Sequence, residues 1–514
     1  MLFEQPQPKY SFRRWLRKEG ENRLLLKWCC VAIVVQFVIF KFLYPYPNFM
    51  PPDSYSYVRA AFYNQTINVW PIGYSFFLRL VSCFSASDMV LVWLQYLLLE
   101  ASLLYFLFSI RYLMAPEKWL FRVLLAVTIL NPLVPHISNF VGSDTLFTAL
   151  SLVWFTQLCW MLYRPRRRLL LWHAGVLLLV FMTRYNAMYY PVVSVLVIFV
   201  SRIRWREKWI GIGAIIVLLG WFVAKTEYAF HKESGNYQFS AFGGWQLASN
   251  ALFAYAHAQP DSPSDVPPQF RELHMLVNHH LDSLSRIMPA LRPDNEIGIY
   301  YLWDFKSPLR VYMKEKSGGD SSQTTFLKRW SSLAPLYAGY GRFLIKRHPG
   351  LFIRYYLWPN LVKFCTPPTG FMGYYNIGEN YVDPMAVIWF KWRDNKVQPR
   401  FKSMKINLAK AFITVSAAVS FLFVVDFIGF GFSGGFKRCS VISKRILYLV
   451  MAVWLCNMVF GVLAAPIELR FLLFPMMVSF VVLGLLLAFL VRESRTAPAK
   501  QEPGHGVVAG AETG

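Results

Sequence analysis

The chain has 514 residues, of which 56% are hydrophobic, 18% aromatic and only 16% charged, and its formal net charge is +25. This composition excludes an ordinary soluble protein and predicts an all-α polytopic membrane protein. The Lys and Arg residues are concentrated in short segments between apolar runs, which indicates a role in membrane orientation, so we expect no nucleic-acid partner.

Ten apolar runs are candidates for membrane spans, because a helix needs about 20 mostly apolar residues to cross the hydrocarbon core. They cover residues 28–43, 88–110, 120–134, 145–162, 169–182, 187–200, 209–224, 409–430, 446–465 and 471–491. The sequence therefore predicts about ten transmembrane helices. The fifth and sixth runs are short, and a tilted hairpin is the alternative for this pair.

The segments that separate the runs fall into a basic set and a nearly neutral set. The basic set contains 25 Lys and Arg and comprises residues 1–27, 111–122, 164–168, 202–208, 437–445 and 492–500. In the short segments of the nearly neutral set, the only Lys or Arg residues are Arg59, Arg79, Arg184 and Arg470. Because basic loops stay in the cytoplasm, both termini are predicted to be cytoplasmic and the segment 44–87 extracytoplasmic.

This topology divides the chain into five parts. They are a cytoplasmic basic segment (1–27), a transmembrane domain (28–224), an extracytoplasmic domain of mixed, irregular helical structure (225–405), the C-terminal transmembrane helices (406–491) and a disordered cytoplasmic tail (492–514). Within 225–405, residues 239–255 and 337–364 are predicted to be amphipathic helices that rest on the membrane. Lys346, Arg347, His348 and Arg354 make the second helix a candidate phosphate neighbourhood.

The first extracytoplasmic segment contains the stretch PPDSYSYVRAAFYNQTINVWPIGY at 51–74, and Asp53 is the only acid in residues 45–84. A short interfacial helix is predicted to follow Asp53. In the next such segment, Ser143 or Asp144 is predicted to cap the fourth span, and Asp144 is equally a candidate second acid of a site. The two functions are compatible.

Two later turns on the same side carry charged residues. Arg184 is the only basic residue of a very short turn, and its planar fork of donors suits phosphate oxygens. A side chain that extends to the lipid headgroups is the alternative. Glu468 and Arg470 precede the last span, where a local ion pair competes with a role in a site. The loop 366–383 contains Gly370, Gly373 and Gly378, and its Tyr and Asn side chains are candidates for sugar contacts.

The spacing of Asp53, Tyr57, Pro71, Gly73 and Tyr74 resembles the first extracytoplasmic loop of the GT-C glycosyltransferases, such as protein O-mannosyltransferases and lipid A aminoarabinose transferases. Many members carry an Asp-Glu pair where this chain has Asp53 and Ser54, so no role of a second carboxylate is carried over. The resemblance implies an active site on the extracytoplasmic face of a bacterial inner membrane.

The resemblance also implies roles for particular residues. Asp53 would be the catalytic base and Asp144 a second catalytic acid, and the residues that bind substrate and phosphate would be Arg184, Arg59, Tyr57, Glu468 and Arg470. The donor would be a polyprenyl-phosphate sugar and the acceptor a lipid, glycan or protein, with membrane lipids around both. Transfer would invert the anomeric centre. No metal site is predicted, and Mg²⁺ or Mn²⁺ between two carboxylates stays an open alternative.

Two other functions fit a chain with many spans. An O-antigen polymerase or ligase uses the same kind of lipid-linked donor but transfers whole glycans. A membrane transporter or lipid flippase also has many spans, although the sequence shows no inverted repeat and no pair of matched broken helices.

Overall fold

The computed structural model describes residues 11–316, 323–401 and 408–496. Within these ranges the regular elements are helices and no β-strand occurs, which confirms the predicted all-α class. The tail predicted at 492–514 lies outside the described residues, apart from 492–496, which continue the last helix.

The helices fall into three groups along the chain. The first group is α1 (Phe12–Lys18), α2 (Gly20–Leu43), α3 (Asp53–Phe62), α4 (Gly73–Ser82), α5 (Asp88–Met114), α6 (Lys118–Ile129), α7 (Leu133–Ser138), α8 (Ser143–Tyr163), α9 (Arg167–Thr183), α10 (Tyr190–Val200) and α11 (Trp205–Ser234). The second is α12 (Ala241–Tyr255), α13 (Arg271–Ser285), α14 (Tyr300–Trp303), α15 (Pro308–Lys316), α16 (Gln323–Arg347), α17 (Pro349–Phe352), α18 (Trp358–Cys365) and α19 (Pro384–Phe390). The third is α20 (Leu408–Phe432), α21 (Gly435–Arg438), α22 (Val441–Ala464) and α23 (Leu473–Thr496).

Eight helical stretches of the described chain are long and apolar enough to cross a membrane, which makes this a multi-pass membrane protein. They are Gly20–Leu43, Asp88–Met114, Lys118–Ser138, Ser143–Tyr163, Trp205–Ser234, Lys410–Phe432, Val441–Ala464 and Leu473–Ser494. The fifth and sixth predicted spans correspond to α9, with 17 residues, and α10, with 11 residues. If α9 and α10 are two spans, the chain returns to the side on which α9 began, and if they form a tilted hairpin, it also returns to that side. The predicted orientation of the later spans is therefore the same for both alternatives.

The two ends of α5 contact different parts of the chain. At one end, Glu21 accepts from Arg111 at 2.8 Å and from Arg122 at 2.8 Å, so segments predicted to be cytoplasmic meet there. At the opposite end of α5, Asp88 accepts from Trp392 Nε1 at 3.1 Å, in the domain predicted to be extracytoplasmic. At each of these contacts, segments predicted to lie on the same side of the membrane come together.

We call residues 235–401 the middle domain. Its larger part packs around α12, whereas α19 packs on α3. Trp245 of α12 stacks on Trp330 of α16 with ring centroids 3.8 Å apart. A Cβ atom at Gly244 would collide with the carbonyl oxygen of Ala334, so the glycine permits this close helix contact. The prediction of a membrane-surface helix at 239–255 is therefore wrong, because α16 covers α12 and buries most of its side chains.

Two predicted boundaries shift. The seventh span does not end at residue 224, since α11 continues to Ser234 and stops at Gly235, which has φ +76°. The third span, predicted as one run at 120–134, is interrupted, because α6 ends at Ile129 and α7 begins at Leu133. The helix predicted to follow Asp53 is confirmed as α3, which packs on α4 and α19 through Tyr57 and other buried residues.

Candidate active site

Five charged side chains from separate parts of the chain meet at one end of the bundle, and we call them the charge cluster. They are Asp53, Asp144, Arg184, Glu468 and Arg470. Asp53 begins α3, Asp144 lies in the first turn of α8, and Arg184 follows the last residue of α9. Glu468 and Arg470 belong to the turn that precedes α23. All five lie in segments that the sequence predicts to be on one side of the membrane.

Arg470 is the centre of the charge cluster. Its Nη1 donates to Asp53 Oδ2 at 2.8 Å, and its Nε donates to Glu468 Oε2 at 2.7 Å. Asp144 Oδ2 lies 3.9 Å from the same Nη1. Burial lowers the pKa of Arg470, but Glu468 and Asp53 more than offset this and hold it above its ordinary value. Arg470 is therefore a fixed cation that orients the Asp53 carboxylate.

Arg184 provides the second cation. Its Nη1 donates to Asp144 Oδ1, and its guanidinium lies 4.9 Å from the centroid of the Phe471 ring. Arg470 lies 4.8 Å from the centroid of the same ring. Burial and the positive charge of Arg470 lower the pKa of Arg184 to about 10, so Arg184 is still protonated at neutral pH. Both guanidinium groups are thus held in place by one aromatic ring and by carboxylates.

Asp144 does not cap α8. The N-cap residue of that helix is Gly142, and no side-chain cap bond is made there, so the predicted cap at Ser143 or Asp144 is wrong. The physical reason is the presence of Arg184, because a charge-assisted bond is about twice as strong as a neutral one. Asp144 therefore belongs to the charge cluster.

Tyr57 and Arg59, both predicted to bind substrate, lie on different faces of α3. Tyr57 is one turn from Asp53, and its hydroxyl is 3.0 Å from Ser143 Oγ. Burial and the charge of Asp53 raise the pKa of Tyr57 to about 12, so its phenol stays neutral. Arg59 is six residues from Asp53, which in an α-helix turns it away from that face. The structure does not bring Arg59 into the cluster.

A cavity of about 500 Å³ opens beside the charge cluster, and we call it the main cavity. Asp53, Arg184 and Arg470 line one wall. Many of the other lining side chains are apolar, and they include Trp70, Met188, Phe242, Leu247, Leu302, Phe371, Phe460 and Leu463. A mostly apolar pocket with a few convergent polar groups is typical of a ligand site. The main cavity can therefore hold a ligand with one anionic end and one apolar end.

The middle domain contributes residues to the main cavity that the sequence analysis missed. Lys363 lines it and donates to Ile297 O at 2.7 Å, and burial lowers the pKa of Lys363. Gln246 and Asn250 also line it, and Asn250 Nδ2 donates to Ala464 O at 3.1 Å. No sequence pattern marked these residues, because their position depends on how the middle domain docks on α22.

The basic residues predicted to form a phosphate neighbourhood lie elsewhere. Lys346, Arg347, His348 and Arg354 are not among the residues that line the main cavity. His348 Nε2 lies 2.7 Å from Asp261 Oδ2, and Arg347 Nε lies 3.7 Å from Asp261 Oδ1. These contacts connect the end of α16 to the loop that contains Asp261.

Backbone contacts hold the segment that leads into Asp53. The amide of Asn48 donates to Asn139 O at 2.8 Å, and the amide of Phe49 donates to Asn376 Oδ1 at 3.1 Å. These bonds join the segment 44–87 to the end of α7 and to the loop 366–383. Asp53 therefore starts α3 from a fixed position.

Two glycines permit close approaches around the site. Gly370 has φ +53°, and a Cβ there would lie 2.6 Å from Glu468 Cδ. A Cβ at Gly73 would lie 2.5 Å from the carbonyl oxygen of Met182. Beside it, the Tyr74 hydroxyl donates to Gln95 Oε1 at 2.6 Å. The Pro71-Ile72-Gly73-Tyr74 element is thus a packing element that joins α4 to α5 and α9.

Arginine side chains hold the carboxylates of the charge cluster. No group of three or more His, Cys, Asp or Glu side chains in the described part of the chain could hold a metal. Asp53 and Glu468 instead share the guanidinium of Arg470, which occupies the place between them.

Comparisons of the chain with protein-family models, with curated proteins and with solved structures find no match.

Proposed function

We propose that this chain is an integral membrane glycosyltransferase that transfers a sugar from a polyprenyl-phosphate donor to an extracytoplasmic lipid, glycan or protein. It would act at the outer face of a bacterial inner membrane. The observation that carries the proposal is the charge cluster, which places the carboxylates of Asp53 and Glu468 and the guanidinium groups of Arg184 and Arg470 on one wall of a mostly apolar cavity. The likeness of the first extracytoplasmic segment to GT-C enzymes supports the same assignment.

The donor would use both halves of the main cavity. Arg184 and Arg470 offer planar forks of donors to the phosphate oxygens. The lipid chain would follow the apolar walls at Met188 and Leu463, which are both exposed at the end of the bundle. Tyr57 lines the cavity beside Asp53 and would donate a hydrogen bond from its neutral hydroxyl to the polyprenyl-phosphate sugar.

Asp53 would be the general base. It would take the proton from the acceptor hydroxyl while the acceptor oxygen attacks the anomeric carbon, and the bond from that carbon to the phosphate oxygen would break. Polyprenyl phosphate leaves with the electron pair, and one displacement inverts the anomeric centre. A positioned base contributes about 10²- to 10⁴-fold to the rate, and cations at the leaving phosphate stabilise its developing charge.

The other two acids of the charge cluster would position its arginines. Glu468 orients Arg470, and Asp144 orients Arg184. Arg470 holds Oδ2 of Asp53, and Oδ1 would take the acceptor proton.

A reconstitution experiment tests the proposal. The purified protein in liposomes is given a panel of polyprenyl-phosphate monosaccharides with lipid, glycan and peptide acceptors, and the product is analysed by NMR. We expect a new glycosidic bond with inverted configuration at the transferred sugar. Transfer of whole glycans alone would favour a polymerase or ligase. Movement of the lipid-linked sugar across the bilayer without bond formation would favour a flippase.

A further inference from the structure

A second recess lies on the other side of the chain that leads to Asp53, and we call it the side pocket. Its volume is about 480 Å³. It is lined by Phe49, Pro51, Tyr55, Asn376, Ile377, Glu379, Tyr381, Val382, Asp383, Pro384 and Asn395. Pro51 lines the side pocket, whereas the next two residues, Pro52 and Asp53, line the main cavity. The two recesses are therefore neighbours along the backbone at the proposed base.

The side pocket is built on a fixed frame. The amide of Val382 donates to Asn395 O at 2.9 Å, which pairs its two walls. Asn376 Nδ2 donates to Glu379 O at 2.9 Å, and its Oδ1 accepts from the amide of Phe49. Ile377 has φ +53°, an unfavourable conformation for a β-branched residue, which these contacts maintain. The pocket is thus formed before any ligand arrives.

The chemistry of the lining suits a hydroxyl-rich ligand without negative charge. Tyr381 is 58% exposed, so its ring can contact the C–H groups of a sugar ring. Tyr55 is half-buried and is stacked on the fully buried Phe49, with centroids 5.4 Å apart, which fixes the Tyr55 ring in the pocket wall. Glu379 and Asp383 supply carboxylates that accept from hydroxyl or ammonium groups. None of the residues that line this pocket is basic, so a phosphate or carboxylate there would lack a counter-charge.

We infer that the side pocket binds a neutral or amine-bearing sugar residue of the acceptor. This inference rests on the proposed transferase function, and it specifies the acceptor as a glycan or glycolipid with such a sugar. The main cavity has three cationic side chains, Arg184, Lys363 and Arg470, beside the carboxylates of Asp53 and Glu468, whereas the side pocket has two carboxylates and no cation among its lining residues. Of these two recesses, the main cavity is therefore the one with counter-charges for a phosphate.

Three probes with the same ring distinguish the expected ligand class. Methyl glucoside, methyl glucosaminide and methyl glucuronide carry no charge, a positive charge and a negative charge, and amine-bearing and neutral epimers extend the panel. Binding to the purified full chain in detergent is measured by saturation-transfer NMR. We expect neutral and amine-bearing sugars to bind at least tenfold more tightly than the uronide. Equal binding of the uronide would overturn the inference.

Two substitutions locate the binding site. Tyr381→Ala should weaken binding of the best probe at least tenfold, and Glu379→Gln should remove most of the preference for the amine. Tyr374→Ala is the matched control, because Tyr374 is a tyrosine of the same loop that is 46% exposed and does not line the pocket. If Tyr381→Ala and Tyr374→Ala bind the probe like the unmodified protein, the side pocket is not the site.

The transfer assay separates this inference from the proposed function. An unmodified protein that transfers sugar, with an acceptor KM that Tyr381→Ala does not change, would refute the side pocket alone. A protein that binds the probes through Tyr381 but forms no glycosidic bond with any donor would refute the transferase and leave the sugar site in place. A rise in acceptor KM at constant kcat in Tyr381→Ala is the expected result.

Discussion

Two groups of arginines and carboxylates in this chain differ in their surroundings. In the charge cluster, the side chains of Arg470 and Asp53 are 10% and 13% exposed and are joined by a 2.8 Å contact beside a cavity. At the end of α16, Arg347 is 52% exposed and lies 3.7 Å from Asp261. The sequence offered both places as phosphate sites. The difference shows that burial next to a cavity, rather than local basic charge, distinguishes a candidate binding site.

Replacing one arginine in each group gives the strongest test of the difference between the charge cluster and the end of α16. Arg470→Gln leaves two buried carboxylates without their cation, and breaking a buried ion pair costs about 3–5 kcal/mol. Arg347→Gln removes the contact of a half-exposed arginine, worth about 0–1 kcal/mol, and Asp261 keeps its contact with His348. We expect Arg470→Gln to lower the Tm in detergent and to abolish transfer, and Arg347→Gln to preserve both. Similar losses in the two variants would contradict the distinction.

A smaller effect is expected from Arg184. Hydrogen bonds to charged groups contribute about 1.5–3 kcal/mol, so Arg184→Ala should weaken donor affinity about 10- to 150-fold. Arg184→Lys should restore only part of this, because an ammonium group lacks the planar fork. Donor affinity is measured by titration with a polyprenyl-phosphate sugar. If both variants bind the donor normally, Arg184 is not a phosphate ligand.

The Asp144–Arg184 pair makes a prediction about coupling. If Asp144 acts by orienting Arg184, Asp144→Asn should add little to the effect of Arg184→Ala on donor affinity. A double-mutant cycle should then give a coupling free energy of about 0.5–3 kcal/mol. Additive effects of the two substitutions would mean that Asp144 acts independently of Arg184.

The charge cluster shows how much of a site can be predicted from the membrane topology. Asp144, Arg184 and Arg470 each lie next to a predicted span, and Asp53 lies in the segment between the first two spans. The distribution of Lys and Arg therefore assigns all four to one side of the membrane. Antiparallel helices then bring the ends of these runs together. The resemblance pointed to Asp53, and the structure adds its contact with Arg470.

The contribution of the middle domain was not predictable in the same way. The polar residues Gln246 and Asn250 made 239–255 resemble a surface helix, but they face the main cavity, and Asn250 also donates to the end of α22. Lys363 reaches the cavity through docking of α18. Such contacts depend on long-range packing, including the close approach at Gly244, which local periodicity does not specify.

The smallest expected effect concerns pH and is confined to the middle domain. Burial lowers the pKa of His274 below its ordinary value of 6.5, and His274 Nδ1 lies 2.9 Å from the Tyr340 hydroxyl. Below about pH 6.5 the unfolded chain therefore binds a proton that the folded chain does not. The free energy of unfolding thus decreases as the pH is lowered. The slope per histidine is at most about 1.4 kcal/mol per pH unit.

The substitution His274→Asn should reduce this slope between pH 6.5 and pH 5 without removing it. Burial also lowers the pKa values of His257 and His280 in the same domain, and these residues retain their contribution. The slope is measured from Tm values across this pH range. An unchanged slope in the variant would show that His274 is not one of the groups responsible.

The central claim is that Asp53 is the base, and one measurement addresses it directly. Asp53→Asn keeps the shape of the side chain but cannot accept the proton, so transfer should fall about 10²- to 10⁴-fold while the donor still binds. The control is Asp394→Asn, because Asp394 is exposed and accepts only from a nearby backbone amide at 3.0 Å, that of Lys396. The control should transfer normally. A folded Asp53→Asn protein that transfers sugar at the unmodified rate would contradict the proposed mechanism.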